Sequence, residues 1–191
     1  MDLQLSPEQE ALSRVLRQFA RSELAPHSAE WDRAGRFPSQ AWRRMGELGL
    51  LGLRIPAAYG GQESDFLTFG IAMEEIGRGD FSCTYGIQLA GLAGEILGRS
   101  APDALKARWL PPTAAGETVI ALALTEPGVG SDAASLACRA ERAGDGYVLT
   151  GEKSGISLGM VAQAAIVFAR TDPDARARGI TAFLVPLDQP G

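Results

Sequence analysis

The chain has 191 residues, enough for one large domain or two small ones, with 46% apolar and 21% charged residues and a net charge of −5. The negative balance and the lack of a basic run argue against nucleic acid, which is gripped by neutralising its phosphates, and against a membrane surface. No apolar stretch approaches the ~20 residues that span a bilayer. One histidine, His27, leaves no His-based metal site, and Cys83 and Cys138 stand without motif spacing, as reduced thiols of a cytoplasmic protein do.

The first ~115 residues read as helical. The acidic start, Met1-Asp2-Leu3-Gln4-Leu5-Ser6-Pro7-Glu8, leads into a helix and does not read as a signal peptide. Ser6 is the expected cap, with Pro7 at the first helical position and Gln9 closing a capping box. Leu12, Val15, Leu16 and Phe19 then share one face. His27 reads as a solvated residue near a helix end. Pro38 and Ser39 start a short helix that buries Trp42 and Met45 and stops near Gly49. A third helix runs from about Asp65 to Ile76, with Phe66, Phe69, Met73 and Ile76 as its apolar stripe and Glu74 and Glu75 off it. The fourth, about Phe81 to Leu97, is apolar around most of its circumference and is expected to be buried. Its Gly86, Gly91 and Gly94 each cost up to ~1 kcal/mol in a helix interior, which points to close approach by another helix or a ligand. A last helix, from Pro102 to about Ala115, turns Leu105, Trp109 and Leu110 inward.

Near Glu117 the hydrophobic period changes from 3.6 toward 2. The run Val119-Ile120-Ala121-Leu122-Ala123-Leu124 reads as a buried strand. It opens into Thr125-Glu126-Pro127-Gly128-Val129-Gly130-Ser131-Asp132, where Gly128 and Gly130 allow positive φ and close approach of a flat or anionic ligand to main-chain N–H groups. Thr125 and Ser131 add hydroxyls that both donate and accept. On spacing alone a plain tight turn between strands stays open beside a cofactor loop. Glu126 and Asp132 read as residues that structure the loop. Leu136, Cys138 and Ala140 alternate with Ala137, Arg139 and Glu141 as on a half-exposed strand, and Gly144-Asp145-Gly146 is a hairpin turn into Tyr147-Val148-Leu149. Gly151-Glu152-Lys153 then runs into Ser154-Gly155-Ile156-Ser157, with Lys153 expected as a solvated strand-edge charge rather than a phosphate ligand. Ala164–Arg170 and Gly179–Val185 are further strands. The fold class is α+β, a helical domain over residues 1–117 followed by an antiparallel, barrel-like β-domain over residues 118–191.

The loop Thr125–Asp132 and the segment Gly151–Ser157 together resemble the acyl-CoA dehydrogenase family. Its middle β-domain carries a TEPGAGSD-like loop and a later G-x-K-x-W-I-[ST] segment, both touching FAD. Val129 stands at the variable position of the first, and Gly155 replaces the usual Trp of the second. The likeness extends in family order through Gly49-Leu50-Leu51-Gly52-Leu53, Pro56 with Tyr59-Gly60-Gly61, Glu74-Glu75-Ile76-Gly77-Arg78, and Leu110-Pro111-Pro112 with Gly116-Glu117.

The resemblance implies FAD-dependent α,β-dehydrogenation of an acyl-CoA or acyl-carrier thioester, with an electron-transfer flavoprotein or similar acceptor. It places Leu124 and Thr125 at the pyrimidine end of the flavin, Gly130 and Ser131 along the pyrophosphate or the coenzyme A phosphates, and Ile156 and Ser157 near the N5 edge. It makes Gln88, Leu89, Leu92 and Ser131 candidates for substrate contact, with plain core as the alternative for the helical three. No metal is implied. The family's C-terminal helical bundle, which carries the catalytic carboxylate and much of the subunit interface, has no counterpart in residues 1–191. No catalytic base is therefore named within this sequence, and the β-domain breaks off incomplete. A homo-oligomer, or a hetero-oligomer with a C-terminal-half chain, is expected. The alternative is a non-catalytic half-subunit that completes a flavin or acyl site only with another chain.

Overall fold

Ser6 opens the first helix as its sequence requires, accepting from Gln9 N–H at 3.2 Å while its own N–H donates to Gln9 Oε1 at 3.0 Å. These positions come from a computed structural model that describes residues 4–189; Met1, Asp2 and Leu3 of the expected acidic start lie outside the described residues. The chain divides into two compact units, Met1–Thr118 and Val119–Gly191.

In the first unit, helix α1 (Pro7–Phe19) buries Leu16 and Phe19, while Val15 of the expected stripe is 57% exposed. The chain does not stop at Phe19. It widens into a π turn, Ala20–Leu24, and continues as α2 (Ala25–Ala34), which carries exposed His27 in its first turn and ends at Gly35 in the left-handed region. Helix α3 (Ser39–Glu47) buries Trp42 and Met45, and Gly49, at φ +74°, turns the chain away. Helix α4 (Phe66–Gly77) is capped by Asp65, which accepts from Thr68 N–H at 2.6 Å. Helix α5 (Phe81–Ser100) is capped by Asp80, and α6 spans Asp103–Ala114 with Trp109 and Leu110 buried and Leu105 half-buried. Helix α4 packs against both α1 and α5, and α6 packs against α5.

Two expectations for these helices change. On α4 the buried residues are Ile71, Ala72, Glu75 and Ile76, whereas Phe66 is 70% exposed. Glu75 turns inward because it is fully engaged: Ser13 Oγ donates to it at 2.8 Å, Arg17 forks onto both of its oxygens at 2.9 and 2.6 Å, and Arg78 Nε lies 3.3 Å away. A carboxylate with that many donors replaces an apolar residue on the inner face. On α5 only part of the circumference is covered. Phe81 is 78%, Tyr85 42% and Leu92 39% exposed, at the i, i+4, i+11 spacing of one helical face. The opposite face explains the glycines. A β-carbon at Gly86 would come within 2.6 Å of the Trp42 ring, and one at Gly94 within 2.7 Å of Ile55 and 3.1 Å of the Arg54 carbonyl. Close approach by neighbouring protein, expected from their cost in a helix, is what these positions serve.

The second unit is a five-stranded sheet of β1 (Ile120–Ala123), β2 (Arg139–Ala143), β3 (Gly146–Thr150), β4 (Ala164–Arg170) and β5 (Ile180–Pro186). The helical-then-β order is as expected, but the pairing is mixed rather than wholly antiparallel. Strand β4 pairs parallel with β1 from Ile120 opposite Ala164 to Ala123 opposite Val167, parallel with β2 at Arg139 opposite Arg170, and antiparallel with β5 along its whole length. The long excursion between β1 and β4 brings the chain back to the starting edge, so the two run the same way. Only the tight connections give antiparallel pairs: β2 and β3 join through Gly144-Asp145, with Gly144 at φ +58°. Gln163 locks the ends of β1 and β4, its side chain accepting from Val119 N–H at 2.8 Å and its own N–H donating to Val119 O at 3.0 Å.

Both cysteines are unpaired and buried, Cys83 at 3% and Cys138 at 4% exposure. Burial, with Asp80 beside Cys83, raises both thiol pKa values above the ordinary range. Neither should react with a thiol-specific chromogenic disulfide in the folded chain, and both should react once it is unfolded. Rapid labelling of either before unfolding would contradict their placement.

Candidate functional site

The β-unit brings the two family-like segments side by side. After β1 the chain makes a tight four-residue turn in which Glu126 N–H donates to Val129 O at 3.0 Å and Val129 N–H returns to Glu126 O at 3.1 Å. Pro127 sets φ at its second position. Neither Gly128 nor Gly130 takes the positive φ expected of them. Instead, a β-carbon at either would meet nothing within 4 Å, so what they contribute is open space beside the backbone. The second segment lies along the first: Ser154 N–H donates to Thr125 O at 3.0 Å, and Ile156 packs on the Ala121, Ala123 and Ala165 cluster beneath β1.

The candidate cofactor residues fall at this junction. Leu124 and Ile156 are half-buried, Thr125, Gly130 and Ser131 are exposed, and Ser157 is half-buried. The hydroxyls of Thr125, Ser131 and Ser157 make no hydrogen bond to another described residue. Gly155 stands at φ +63° with open space where a side chain would project, and Leu158 follows in the left-handed region at φ +60°. A left-handed glycine lets the chain reverse here without filling the space a Trp would occupy.

The junction is held by a pair of charges that the sequence placed in solvent or in a plain turn. Lys153 is not a solvated edge residue: its side chain is 11% exposed, and Nζ donates to Leu124 O at 3.0 Å and to Glu126 Oε1 at 2.8 Å. Glu126 is 6% exposed at its side chain and also accepts from Ala137 N–H at 2.6 Å and Cys138 N–H at 2.9 Å. Burial pushes its carboxyl up, but the Lys153 hydrogen bond and the two backbone donors outweigh this, and its pKa lies below the ordinary value. Arg170, at the end of β4, holds the next stretch of loop: its guanidinium donates to Ala134 O at 2.7 Å, to Leu136 O at 3.1 Å and to Arg176 O at 2.9 Å. Asp132 accepts from the Ser135 hydroxyl, so its carboxylate braces the loop through a side chain and not by capping backbone. The readable signal for these anchors was weak: an acid and a base 27 positions apart, and an arginine closing an apolar strand.

In the helical unit, the three candidate substrate residues lie on α5. Leu92 stands on the exposed face with Tyr85, Gln88 is half-buried, and Leu89, at 5% exposure, belongs to the unit's core. Among the described residues, no group of three or more His, Cys, Asp or Glu side chains could hold a metal ion, and no helix is long and apolar enough to cross a membrane.

A helical domain followed by a sheet domain is the arrangement that known proteins share with this chain. Residues 6–117 match the acyl-CoA dehydrogenase N-terminal domain and residues 121–191 the acyl-CoA dehydrogenase middle domain. The chain belongs to the acyl-CoA dehydrogenase family, whose members are FAD-dependent oxidoreductases. It is 37% identical to the mitochondrial 2-methylacyl-CoA dehydrogenase of Solanum tuberosum over 99% of this chain and 47% of that one. It is 40% identical to the mitochondrial isovaleryl-CoA dehydrogenase of the same plant, over 93% of this chain and 44% of the relative. A glutaryl-CoA dehydrogenase from Mycobacterium smegmatis, solved in complex with FADH2, superimposes with a TM-score of 0.91 at 32% identity, over 98% of this chain and 47% of that one. The chain thus spans about half the length of the curated relatives it matches.

Proposed function

We propose that this chain supplies flavin-binding and acyl-binding residues of an FAD-dependent acyl-CoA dehydrogenase. The observation that carries the reading is the junction in which Lys153 Nζ donates to Leu124 O and Ser154 N–H to Thr125 O, with the hydroxyls of Thr125, Ser131 and Ser157 left unpartnered and open space at Gly128, Gly130 and Gly155. Those groups suit FAD: Thr125 would offer a hydroxyl to polar atoms of the flavin ring, Gly130 and Ser131 would let a phosphate approach main-chain N–H groups, and Ile156 with Ser157 would support the redox edge. When bound, FAD supplies the acceptor for the hydride that leaves the acyl β-carbon. Gln88 and Leu92, which reach the surface of α5, are the acyl-chain candidates carried forward, and Leu89 shapes the same helix from beneath. Ser131 remains a candidate for coenzyme A phosphates. The carboxylate that takes the α-proton is not assigned within residues 1–191.

An acyl-CoA or acyl-carrier thioester is the proposed substrate, an electron-transfer flavoprotein or similar protein the proposed acceptor, and an oligomer the proposed assembly. Two free, buried thiols support a reducing compartment such as the cytoplasm. A second reading is a non-catalytic partner that completes a flavin or acyl site only together with another chain.

The test is FAD titration of the chain, alone and with the second half of a relative added, followed by bleaching of the flavin band on adding an acyl-CoA. Bound flavin and bleaching in either arm support the proposal, and the arm that succeeds distinguishes the two readings. Absence of flavin from both arms would overturn it. Thr125→Ala should weaken FAD about fivefold, the value of one neutral hydrogen bond of about 1 kcal/mol. Ser157→Ala should slow flavin reduction more than it weakens FAD, and an unchanged reduction rate would remove Ser157 from the N5 edge.

A further inference from the structure

The Lys153–Glu126 pair is a buried, heavily bonded feature of the β-unit that the proposed chemistry does not use. Three stretches distant in sequence converge on it: the turn after β1 through Leu124 O and Glu126, the entry to β2 through Ala137 N–H and Cys138 N–H, and the segment leading to Ser157 through Lys153 itself. The adjoining bond from Ser154 N–H to Thr125 O closes the same junction. A buried ion pair contributes little net stability compared with apolar packing, because both charges lose water, but its bonds are directional and fix relative geometry. Here those bonds end on main-chain groups of the two loops, while the neighbouring hydroxyls of Thr125 and Ser157 stay free for a ligand.

We propose that Lys153 and Glu126 are positioning residues for the flavin site, their buried pair setting the Thr125 loop against the Ser157 segment before flavin arrives. The proposal rests on the flavin reading given above. It separates Lys153 from the role its charge first suggests: the side chain is turned onto Leu124 O and Glu126, so it acts on the loops and not as a ligand to phosphate. A site set in advance loses less conformational entropy on binding, so loosening the pair weakens flavin binding through residues that remain intact.

The experiment combines hydrogen exchange on the flavin-free chain with FAD titration in whichever arm, chain alone or chain plus second half, binds flavin. Lys153→Met is expected to speed exchange at Ala137, Cys138 and Ser154 at least about tenfold while the β4–β5 ladder amides, such as Ile166, hold their wild-type rates. FAD affinity should fall at least about tenfold, more than Thr125→Ala produces, and Lys153→Arg should recover part of both effects. Glu126→Gln combined with Lys153→Met should be no worse than the poorer single variant, as for two groups acting as one unit. Weakened flavin with unchanged exchange would make Lys153 a direct ligand and overturn the proposal. A uniform rise in exchange across the sheet would reduce the pair to an ordinary structural contact, and unchanged exchange and affinity would leave it without a role. Selective loosening in a protein that binds no FAD in either arm would sink the flavin reading itself, an outcome distinct from the others.

Discussion

Gly46→Ala should destabilise the helical unit by about 3 kcal/mol, although alanine is the better helix former by about 1 kcal/mol. The added β-carbon would stand 2.2 Å from Ala115 O and 2.8 Å from Gly116 N, both backbone atoms. Neither strand of chain is free to withdraw. Ala115 N–H is held by Pro111 O at 3.0 Å, Gly116 N–H by Thr113 O at 3.1 Å, and Gly46 O accepts from Gly49 N–H at 2.8 Å. A flexible side chain could swing aside, but a bonded turn cannot, so overpacking outweighs propensity. Gly70 is the control, because a β-carbon there meets nothing within 4 Å and Gly70→Ala should gain up to about 1 kcal/mol. Denaturant unfolding of both variants checks this; a Gly46→Ala chain as stable as wild type would show that α3 and the end of α6 slide apart freely.

The second large effect centres on Glu75. The Arg17 hydrogen bond, against the opposing effect of burial and with help from Ser13 and Arg78, holds its carboxyl below the ordinary value of 4.5. A carboxyl lowered on folding adds stability that is present above the unfolded value and is lost as pH falls through the folded one. The window is therefore below about pH 4.5, and acid is the direction of loss. Glu75→Ala at neutral pH should cost about 2 kcal/mol, less than the 3–5 typical of stranding a buried charge. Arg17 and Arg78 are about half exposed and regain water when the carboxylate is gone. Unfolding curves from pH 7 to pH 3 should show the wild-type advantage shrinking toward the acid end. A difference independent of pH would mean that Glu75 acts through packing alone.

Much of this architecture was legible because short-range rules decide it. Ser6 with Gln9 caps one helix, Gly49 ends another, and Gly144-Asp145 turns a hairpin, each by chemistry confined to a few neighbouring residues. The family-like loops could likewise be read in order along the chain. What escaped was set by partners distant in sequence. Periodicity alone sets Glu75 off the apolar stripe, because Arg17 and Ser13, which draw it inward, lie about 60 residues earlier. A lysine after a strand usually reads as solvated, and only the fold brings Glu126 to Lys153. Strand direction also depends on the path of the whole β1-to-β4 excursion rather than on any local signal. The continuous helical path from α1 into α2 depended on a π turn, which leaves no apolar periodicity of its own.

The outer row of α5 has a practical bearing on work with this polypeptide in isolation. From Phe81 to Leu92, a span of about 16 Å at the 1.5 Å rise of a helix, ring, phenol and isobutyl groups stand exposed in a row broken by the Gln88 amide. Such a row recruits environment-sensitive dyes and draws copies together as concentration rises. Ultracentrifugation over a dilution series, with detergent micelles as a competitor, would tell that stickiness apart from genuine assembly.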